Sequence, residues 1–274
     1  MSIHIEPLSD AVGAEVKGVD LREELDGATI AALKAAWTDH GVLFVRGQEL
    51  TDEEHARFCR YFGDIQVERT APDSESDDHP GRLFVSNFKE NAILPGGEMW
   101  FHSDQCYYDL PVSGTSLYAI EVPSKGGHTL FCDCYKPYET LPDDIKQKLE
   151  GRRAMNVYDY YSNNRYAKTA ARAEGAPAAD HPIVRTHPES GRKSLFINRL
   201  TTDYILDMDV AESTELLEML FDHIEQPPHV HDHGWEPGDL CLWDNRCTLH
   251  ARTDYDLSER RLLRRYTMVG EVPV

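Results

Sequence analysis

The sequence predicts a mostly β fold, a double-stranded β-helix (jelly roll) with helical additions. Short runs rich in β-branched and aromatic residues recur from Leu83 onward, separated by turn residues. Helical spacing of apolar residues is confined to the N-terminal part and to later insertions. No internal repeat or linker divides the chain. We therefore expect one domain over residues 1–274, with the jelly-roll core at about 83–274 and helical and strand support at 1–69.

The N-terminal segment has the pattern β-β-α-β-α. We predict strands at 3–5 and 14–16, a helix at 28–40, a strand at 41–47 and a helix from 51 to about 62. Ile30, Leu33 and Trp37 give the first helix an apolar face, and Gly41 ends it. Thr51 and Glu54 have the spacing of a capping box, which marks the start of the second helix.

After an acidic, turn-rich loop at 70–82, the pattern changes to strands. We predict strands at 83–86, 115–121, 129–134, 193–197, 239–243 and 261–270, and helices at 135–151 and 213–223. The loop is interpreted either as mobile surface or as a lid, because it leads toward the motif described below. The polar stretch 152–180 has no assignable pattern.

Composition excludes several classes of function. The 274 residues carry a net charge of −20, from 48 acidic and 28 basic side chains, which argues against nucleic acid and anionic membranes as partners. An acidic ligand would therefore need local cations in its site. The absence of a long apolar run and of a signal-peptide pattern at the N-terminus predicts a cytoplasmic protein.

The chemically most informative motif is His102-Ser103-Asp104, with His250 far downstream, where we expect it on the turn after the strand that ends at 243–246. On an extended strand, positions i and i+2 point to the same side, so this imidazole and carboxylate can bind one cation. A second, remote histidine would complete a 2-His-1-carboxylate set, which leaves metal positions open for O2 and a co-substrate. The chain has 13 histidines, so the motif carries weight only together with its context.

That context is an arginine-rich strand beyond His250. Arg261 and Arg265 differ by four positions and therefore face the same side of a strand, with Leu263 between them. Buried guanidinium groups need anions, and two of them suit a dicarboxylate ligand. We interpret Arg260 and Arg264 differently, as solvent-exposed residues of a basic edge strand.

A second histidine cluster offers an alternative metal site. His229, His231 and His233 alternate along one stretch and could bind Zn(II), as a hydrolase would require. The stretch is predicted to be an exposed edge strand, which rarely supplies a closed ligand geometry, and it lacks a paired general base. We therefore favour the site around His102.

Taken together, these motifs resemble the taurine dioxygenase and chlorophenoxyacetate dioxygenase (TauD/TfdA) family of Fe(II)- and 2-oxoglutarate-dependent dioxygenases. The matching segments are WFHSD at 100–104, PSKGGHTL at 123–130, PIVRTHP at 182–188, SLFIN at 194–198 and WDNRCTLH at 243–250. Their order and spacing extend over essentially the whole chain. The resemblance implies a jelly-roll oxidoreductase that consumes O2 and 2-oxoglutarate and releases succinate and CO2.

The resemblance also implies a role for each matching residue. His102, Asp104 and His250 would be the catalytic residues that hold Fe(II). Thr129 and Arg261 would bind the distal carboxylate of 2-oxoglutarate. Arg265 would lie near the acid group of the substrate.

Departures from the taurine type bear on the substrate. Phe101 stands between Trp100 and His102, and Tyr107 follows the metal motif; we expect both Phe101 and Tyr107 to line the substrate pocket. A larger or aromatic organic acid is therefore preferred over taurine, although a sulfonate, an aryloxyalkanoate or a similar acid all remain open. The expected partners are this small molecule and further copies of the chain, as a dimer or tetramer. The alternative function is a non-catalytic jelly-roll protein that binds a metal or ligand.

Overall fold

The structure is a computed structural model that describes residues 3–67, 79–93, 96–158 and 175–274. Two sheets face each other at its centre. The major sheet has the strand order β1 (His4–Pro7), β2 (Ala14–Lys17), β3 (Val42–Val45), β14 (Leu240–Asp244), β6 (Gly114–Glu121), β16 (Leu262–Met268) and β4 (Leu83–Ser86). The minor sheet has the order β13 (Val230–His233), β7 (Thr129–Asp133), β15 (Thr248–Arg252) and β5 (Met99–His102). The last four strands of the major sheet and the four of the minor sheet form the predicted jelly roll.

The remaining elements cover the outside of the two sheets. The helices are α1 (Gly27–His40), α2 (Asp52–Arg60), α3 (Tyr135–Thr140), α4 (Asp143–Leu149) and α5 (Val210–Ile224). A three-stranded sheet contains β12 (Thr202–Ile205), β8 (Arg153–Val157) and β9 (Ala178–Pro182), and a hairpin contains β10 (Val184–Thr186) and β11 (Lys193–Leu195). In the part of the chain described, no helix combines the length and apolar character that a membrane span requires.

Alternation along the strands divides the core into layers. Between the sheets, the ring of Phe131 from β7 lies 5.6 Å from that of Phe44 on β3 and 5.5 Å from that of Trp243 on β14. The opposite face of the major sheet packs against α1 and α2, and the opposite face of the minor sheet packs against α5. The central strands thus contribute to two apolar layers, which explains why they lack the polar alternation of a half-exposed sheet.

The predicted N-terminal helices form with the predicted signals. Gly41 ends α1 with a φ of 71°, in the left-handed region that favours glycine, and its N–H donates to Trp37 O at 2.8 Å. Thr51 and Glu54 form the capping box of α2. The N-terminal segment also supplies three strands to the major sheet, because β3 pairs with β14.

The structure differs from the predicted elements at two places. The helix predicted at 135–151 is two helices, because Leu141 and Pro142 between them are extended. His250 was expected on a turn, but it lies in the middle of the strand β15. Most of the acidic loop at 70–82 and most of the stretch 152–180 lie outside the described residues.

The expectation that Arg264 is solvated is wrong. Its side chain lies on the face of β16 that packs under α2, and the residue is 3 % exposed. It forms an ion pair with Asp52 and donates to Leu50 O at 3.0 Å and to His55 Nδ1 at 3.1 Å. β16 is an interior strand, so alternation buries Arg264 as well as its neighbours. Arg260 does lie at the surface, where it pairs with Glu121.

We predict that Asp52→Ala destabilises the protein by roughly 2–4 kcal/mol. The substitution leaves the buried Arg264 guanidinium without its carboxylate. The expected loss of unfolding free energy is small for a buried ion pair, because the Asp52 side chain is 24 % exposed. Urea unfolding followed by circular dichroism measures the change. Glu53→Ala, on the same helical turn but in an exposed pair with Arg60, should stay within about 1 kcal/mol of wild type. Equal losses for the two variants would contradict the assignment.

Candidate metal and co-substrate site

The site is built on the inner face of the minor sheet. The pairing of the strands arranges its residues in rows that run across the sheet. His250 on β15 lies opposite His102 on β5 and opposite Phe131 on β7. One row along, Thr129 on β7 lies opposite Arg252 on β15 and opposite His233 on β13. Residues opposite one another in an antiparallel pair project to the same face, so both rows point between the sheets.

His102, Asp104 and His250 converge as predicted. One ligand atom from each lies within 4.8 Å of the others. Asp104 Oδ1 is 3.9 Å from His102 Nε2, and Asp104 Oδ2 is 3.8 Å from His250 Nε2. The backbone from His102 to Asp104 is not the extended strand that was expected, because β5 ends at His102 and Asp104 lies in the turn that follows.

A hydrogen-bond network fixes the turn that carries Asp104. Thr115 Oγ1 on β6 donates to Asp104 Oδ2 at 2.6 Å, and Asn245 Nδ2 donates to Thr115 Oγ1 at 2.9 Å. Asn245 Oδ1 accepts from the backbone N–H of Asp104 at 3.3 Å and from Trp243 Nε1 at 3.0 Å. The carboxylate is thus oriented by the major sheet, while both imidazoles come from the minor sheet.

The imidazole rings are also held. His102 Nδ1 lies 2.8 Å from Trp100 O; a carbonyl only accepts, so Nδ1 carries the proton and Nε2 presents its lone pair to the site. The ring of His250 lies 4.1 Å from that of His102 and 4.6 Å from that of Trp243. This packing restricts both rings to orientations that face Asp104.

The electrostatics favour the charge states that bind a metal. Burial lowers the pKa of His102, and burial together with the neighbouring His102 lowers that of His250 to about 3, so both rings are neutral near pH 7. Burial acts to raise the pKa of Asp104, but Arg265 and the two imidazoles outweigh it and the pKa is lowered. Neutral imidazoles beside an ionised carboxylate need to lose no proton before binding a cation.

A cavity next to these three residues contains the other predicted groups. Its lining residues are Val85, Met99, His102, Asp104, Leu117, Thr129, Trp243, His250, Ala251, Arg252, Arg261 and Arg265. Arg261 is 2 % exposed, and its Nε and Nη1 have no hydrogen-bond partner among the described residues. Burial and Arg252 lower the pKa of Arg261 to about 9, so it stays protonated at pH 7. A buried cation with unused donors facing a cavity fits an anionic ligand.

The other two arginines in the cavity already contact protein groups. Arg265 Nη2 lies 3.1 Å from Asp104 Oδ1, on the side of the carboxylate away from the bond with Thr115. Arg252 donates to the carbonyls of Gly97 at 3.0 Å and Gly96 at 2.8 Å. Arg252 therefore ties the segment before β5 to the site.

Neither of the two aromatic residues expected in the substrate pocket is among the residues that line this cavity. Phe101 immediately precedes His102 on β5, so alternation turns it to the outer face of the minor sheet, where it packs against the cluster under α5, and the expectation that it lines the pocket is wrong. Tyr107 lies in the same run of turn residues as Asp104, with its ring 4.7 Å from that of Tyr158. It is not among the cavity-lining residues described above, and its contact with substrate stays a prediction.

Neither of the competing clusters is a convincing metal site. His229, His231 and His233 do not bring their donor atoms together in the described structure. His187, Asp244 and Cys247 do, but Arg246 engages both oxygens of Asp244 at 2.8 and 2.7 Å. His187 Nε2 lies 3.0 Å from the same carboxylate, and burial raises the pKa of the Cys247 thiol. This second cluster is a hydrogen-bonded support for the turn before β15.

Several residues of the site received no role from the sequence. Arg252 could have been found, because it lies two positions after His250 on the same strand and so faces the same side. Thr115, Asn245 and Trp235 reach the site from other strands and turns, and no local pattern signals such contacts.

The fold and the site together define a class: a jelly-roll protein whose cavity is lined by two imidazoles, one carboxylate and a buried arginine with two nitrogens that have no partner among the described residues. This arrangement has the ligand set of the non-haem iron oxygenases.

Comparison with known proteins agrees. The family model for "Taurine catabolism dioxygenase TauD, TfdA family" matches residues 4–267, and the chain belongs to this family. An (S)-phenoxypropionate/alpha-ketoglutarate-dioxygenase from Sphingobium herbicidovorans is 36 % identical over 97 % of this chain and 95 % of that protein. An alpha-ketoglutarate-dependent 2,4-dichlorophenoxyacetate dioxygenase from Cupriavidus pinatubonensis is 32 % identical, with both chains fully covered. The crystal structure of AAD-2 with Mn(II) and N-oxalylglycine superposes with a TM-score of 0.84, at 31 % identity, covering 100 % of this chain and 99 % of that one.

These findings confirm the predicted family, the jelly-roll fold and the enzyme class. The protein is an oxidoreductase of the 2-oxoglutarate-dependent dioxygenase type. The alternative of a non-catalytic binding protein gains no support, because the relatives named above are enzymes.

We predict that Thr115→Val lowers the affinity for a divalent metal ion about 10- to 100-fold. The variant keeps the shape of the side chain but removes the hydroxyl that orients Asp104. Anaerobic calorimetric titration with Mn(II) measures the affinity. Thr267→Val, at the threonine opposite Thr115 on β16, is the matched control. Equal affinities for the two variants would show that Thr115 does not orient the ligand.

Proposed function

We propose that this protein is an Fe(II)- and 2-oxoglutarate-dependent dioxygenase that hydroxylates an aryloxyalkanoic acid. The observation that carries the co-substrate assignment is the buried Arg261, whose Nε and Nη1 have no partner among the described residues. It lines the same cavity as Thr129 and the three residues His102, Asp104 and His250. A dicarboxylate with one end at the metal and the other at Arg261 would satisfy both halves of this cavity.

The donor set supports iron. Two neutral imidazoles and one carboxylate occupy one side of a metal and leave the other side for exogenous ligands. Fe(II), when bound, supplies the redox chemistry with O2 that no side chain of the site can perform. His102, Asp104 and His250 would hold the metal, while the apolar walls exclude water around the reacting atoms.

The substrate assignment rests on the walls of the cavity and on the relatives. Val85, Met99 and Leu117 form an apolar wall, and Arg265 supplies a cation near the metal ligands. An apolar ring with a carboxylate beside it matches both features. The proteins from Sphingobium and Cupriavidus are named for acids of this type. Assembly as a homo-oligomer and a cytoplasmic location remain predictions from the sequence.

In the presence of Fe(II), 2-oxoglutarate and O2, we expect succinate release to be stimulated most by aryloxyalkanoates. The panel should include both enantiomers of 2-phenoxypropionate, 2,4-dichlorophenoxyacetate, an alkyl sulfate and taurine. His102→Ala should lower the rate more than about 100-fold, because loss of a ligand exceeds the effect of a supporting residue. His128→Ala, at an exposed histidine paired with Asp232, is the control and should stay near wild type. Stimulation by the sulfate or taurine alone would refute the proposed substrate class.

We expect substitutions of Arg261 and Arg265 to affect the binding of different ligands. Arg261→Met should weaken 2-oxoglutarate binding about 10- to 100-fold, since a charge-assisted hydrogen bond is lost, and leave the KM of the acid substrate within about threefold. Arg265→Met should raise the KM of the acid substrate and leave the affinity for 2-oxoglutarate nearly unchanged. Steady-state kinetics with each substrate varied in turn measures both constants, and Mn(II) affinity should be checked because Arg265 contacts Asp104. The same pattern for both variants would contradict the division of roles.

A further inference from the structure

The Thr129 hydroxyl has a partner on the side away from the cavity. Trp235, two residues after β13, donates from Nε1 to Thr129 Oγ1 at 3.0 Å. Both residues are buried, and Trp235 belongs to the apolar cluster between the two sheets. This bond joins the interior of the sandwich to a residue that lines the cavity.

The chemistry of the two groups gives this bond a direction. An indole N–H is a donor only, whereas a hydroxyl can donate one hydrogen bond and accept others. Thr129 Oγ1 must therefore act as the acceptor toward Trp235, and its own hydrogen must point elsewhere. Among the described hydrogen bonds, that with Trp235 is the only one of the Thr129 side chain. Thr129 lines the same cavity as Arg261, whose Nε and Nη1 have no partner among the described residues.

The indole is itself fixed in place by stacked rings. The ring of His233 meets it edge to face, with 4.6 Å between centroids and an angle of 86°. His233 in turn stacks on Phe44 at 4.4 Å, and it lies opposite Thr129 in the strand register. The tryptophan is thus positioned by β3 and β13, and it reaches the threonine of β7 from that side.

We propose that Trp235 is a positioning residue for the co-substrate, because its N–H occupies the acceptor side of Thr129 and commits the Thr129 hydroxyl to donate into the cavity. This inference rests on the proposed function, in which the distal carboxylate of 2-oxoglutarate lies between Thr129 and Arg261. A carboxylate near pH 7 only accepts hydrogen bonds. A hydroxyl that is already turned to donate loses no orientational freedom on binding it, and polarisation by the indole strengthens the donor.

The competing explanation is that Trp235 only fills the core. Trp235→Phe keeps an aromatic ring and removes the N–H, but it also removes volume, so the single variant does not decide. A double-mutant cycle with Thr129→Val does, because it isolates the coupling between the two side chains. Trp37→Phe is the matched control, since Trp37 is buried in another cluster and its Nε1 has no partner among the described residues.

The experiment measures the Kd of N-oxalylglycine by calorimetry with Mn(II)-loaded protein, so that no turnover is required. Trp235→Phe should weaken binding about three- to tenfold, the effect of one hydrogen bond, and Trp37→Phe should leave it unchanged. In the Thr129→Val background, adding Trp235→Phe should cause no further loss. Equal losses in both backgrounds would overturn the inference, as would an unchanged Kd in Trp235→Phe.

A second measurement leaves Trp235 intact, in case the phenylalanine variant does not fold. In the Zn(II)-loaded wild type, the indole N–H resonance of Trp235 should shift when N-oxalylglycine binds, and the shift should disappear in Thr129→Val. No shift in a wild type that binds N-oxalylglycine overturns the role of Trp235 alone. A wild type that fails to bind N-oxalylglycine overturns the proposed function, and this inference with it.

Discussion

The site depends on the register of β15 between β5 and β7. This pairing places His250 opposite His102 and Arg252 opposite Thr129, so that metal and co-substrate groups share one face. A slip of one residue would send every one of these side chains to the outer face, where α5 packs. Apolar neighbours make such a slip costly, because Leu249 and Ala251 would then exchange places with charged and polar groups. The core and the site are therefore specified by the same pairing.

The same strand pairing concentrates positive charge in the cavity. The chain is strongly acidic as a whole, yet the cavity contains Arg252, Arg261 and Arg265 and a single carboxylate, Asp104. A concentrated positive field inside a negative protein favours an anionic ligand at this location. The three arginines are not equivalent, because Arg252 is satisfied by carbonyls and Arg265 by Asp104, whereas Arg261 has donors to spare. Burial of these unsatisfied Arg261 donors costs stability, and they are the ones available to an anionic ligand.

Much of the fold and of the candidate site could be predicted from the sequence, and the predictions that failed did so for physical reasons. The alternation of Arg261, Leu263 and Arg265 correctly placed two guanidiniums toward the cavity. The same rule, combined with an assumed edge strand, misplaced Arg264, since sequence does not show that β16 is an interior strand with a helix on its other face. The outward position of Phe101 was open to the same rule, because Phe101 adjoins His102 on β5 and alternation turns neighbouring side chains to opposite faces.

The groups that sequence missed are those that act through a second residue. Asn245 acts on Asp104 through Thr115, and Trp235 acts on the cavity through Thr129. In both pairs a donor occupies the acceptor side of a threonine, so that the hydroxyl must donate toward an anion, which is Asp104 in one case and an expected carboxylate in the other. Both ends of the cavity thus use the same arrangement. A threonine alone could turn its hydroxyl either way, and the amide or indole behind it removes that choice.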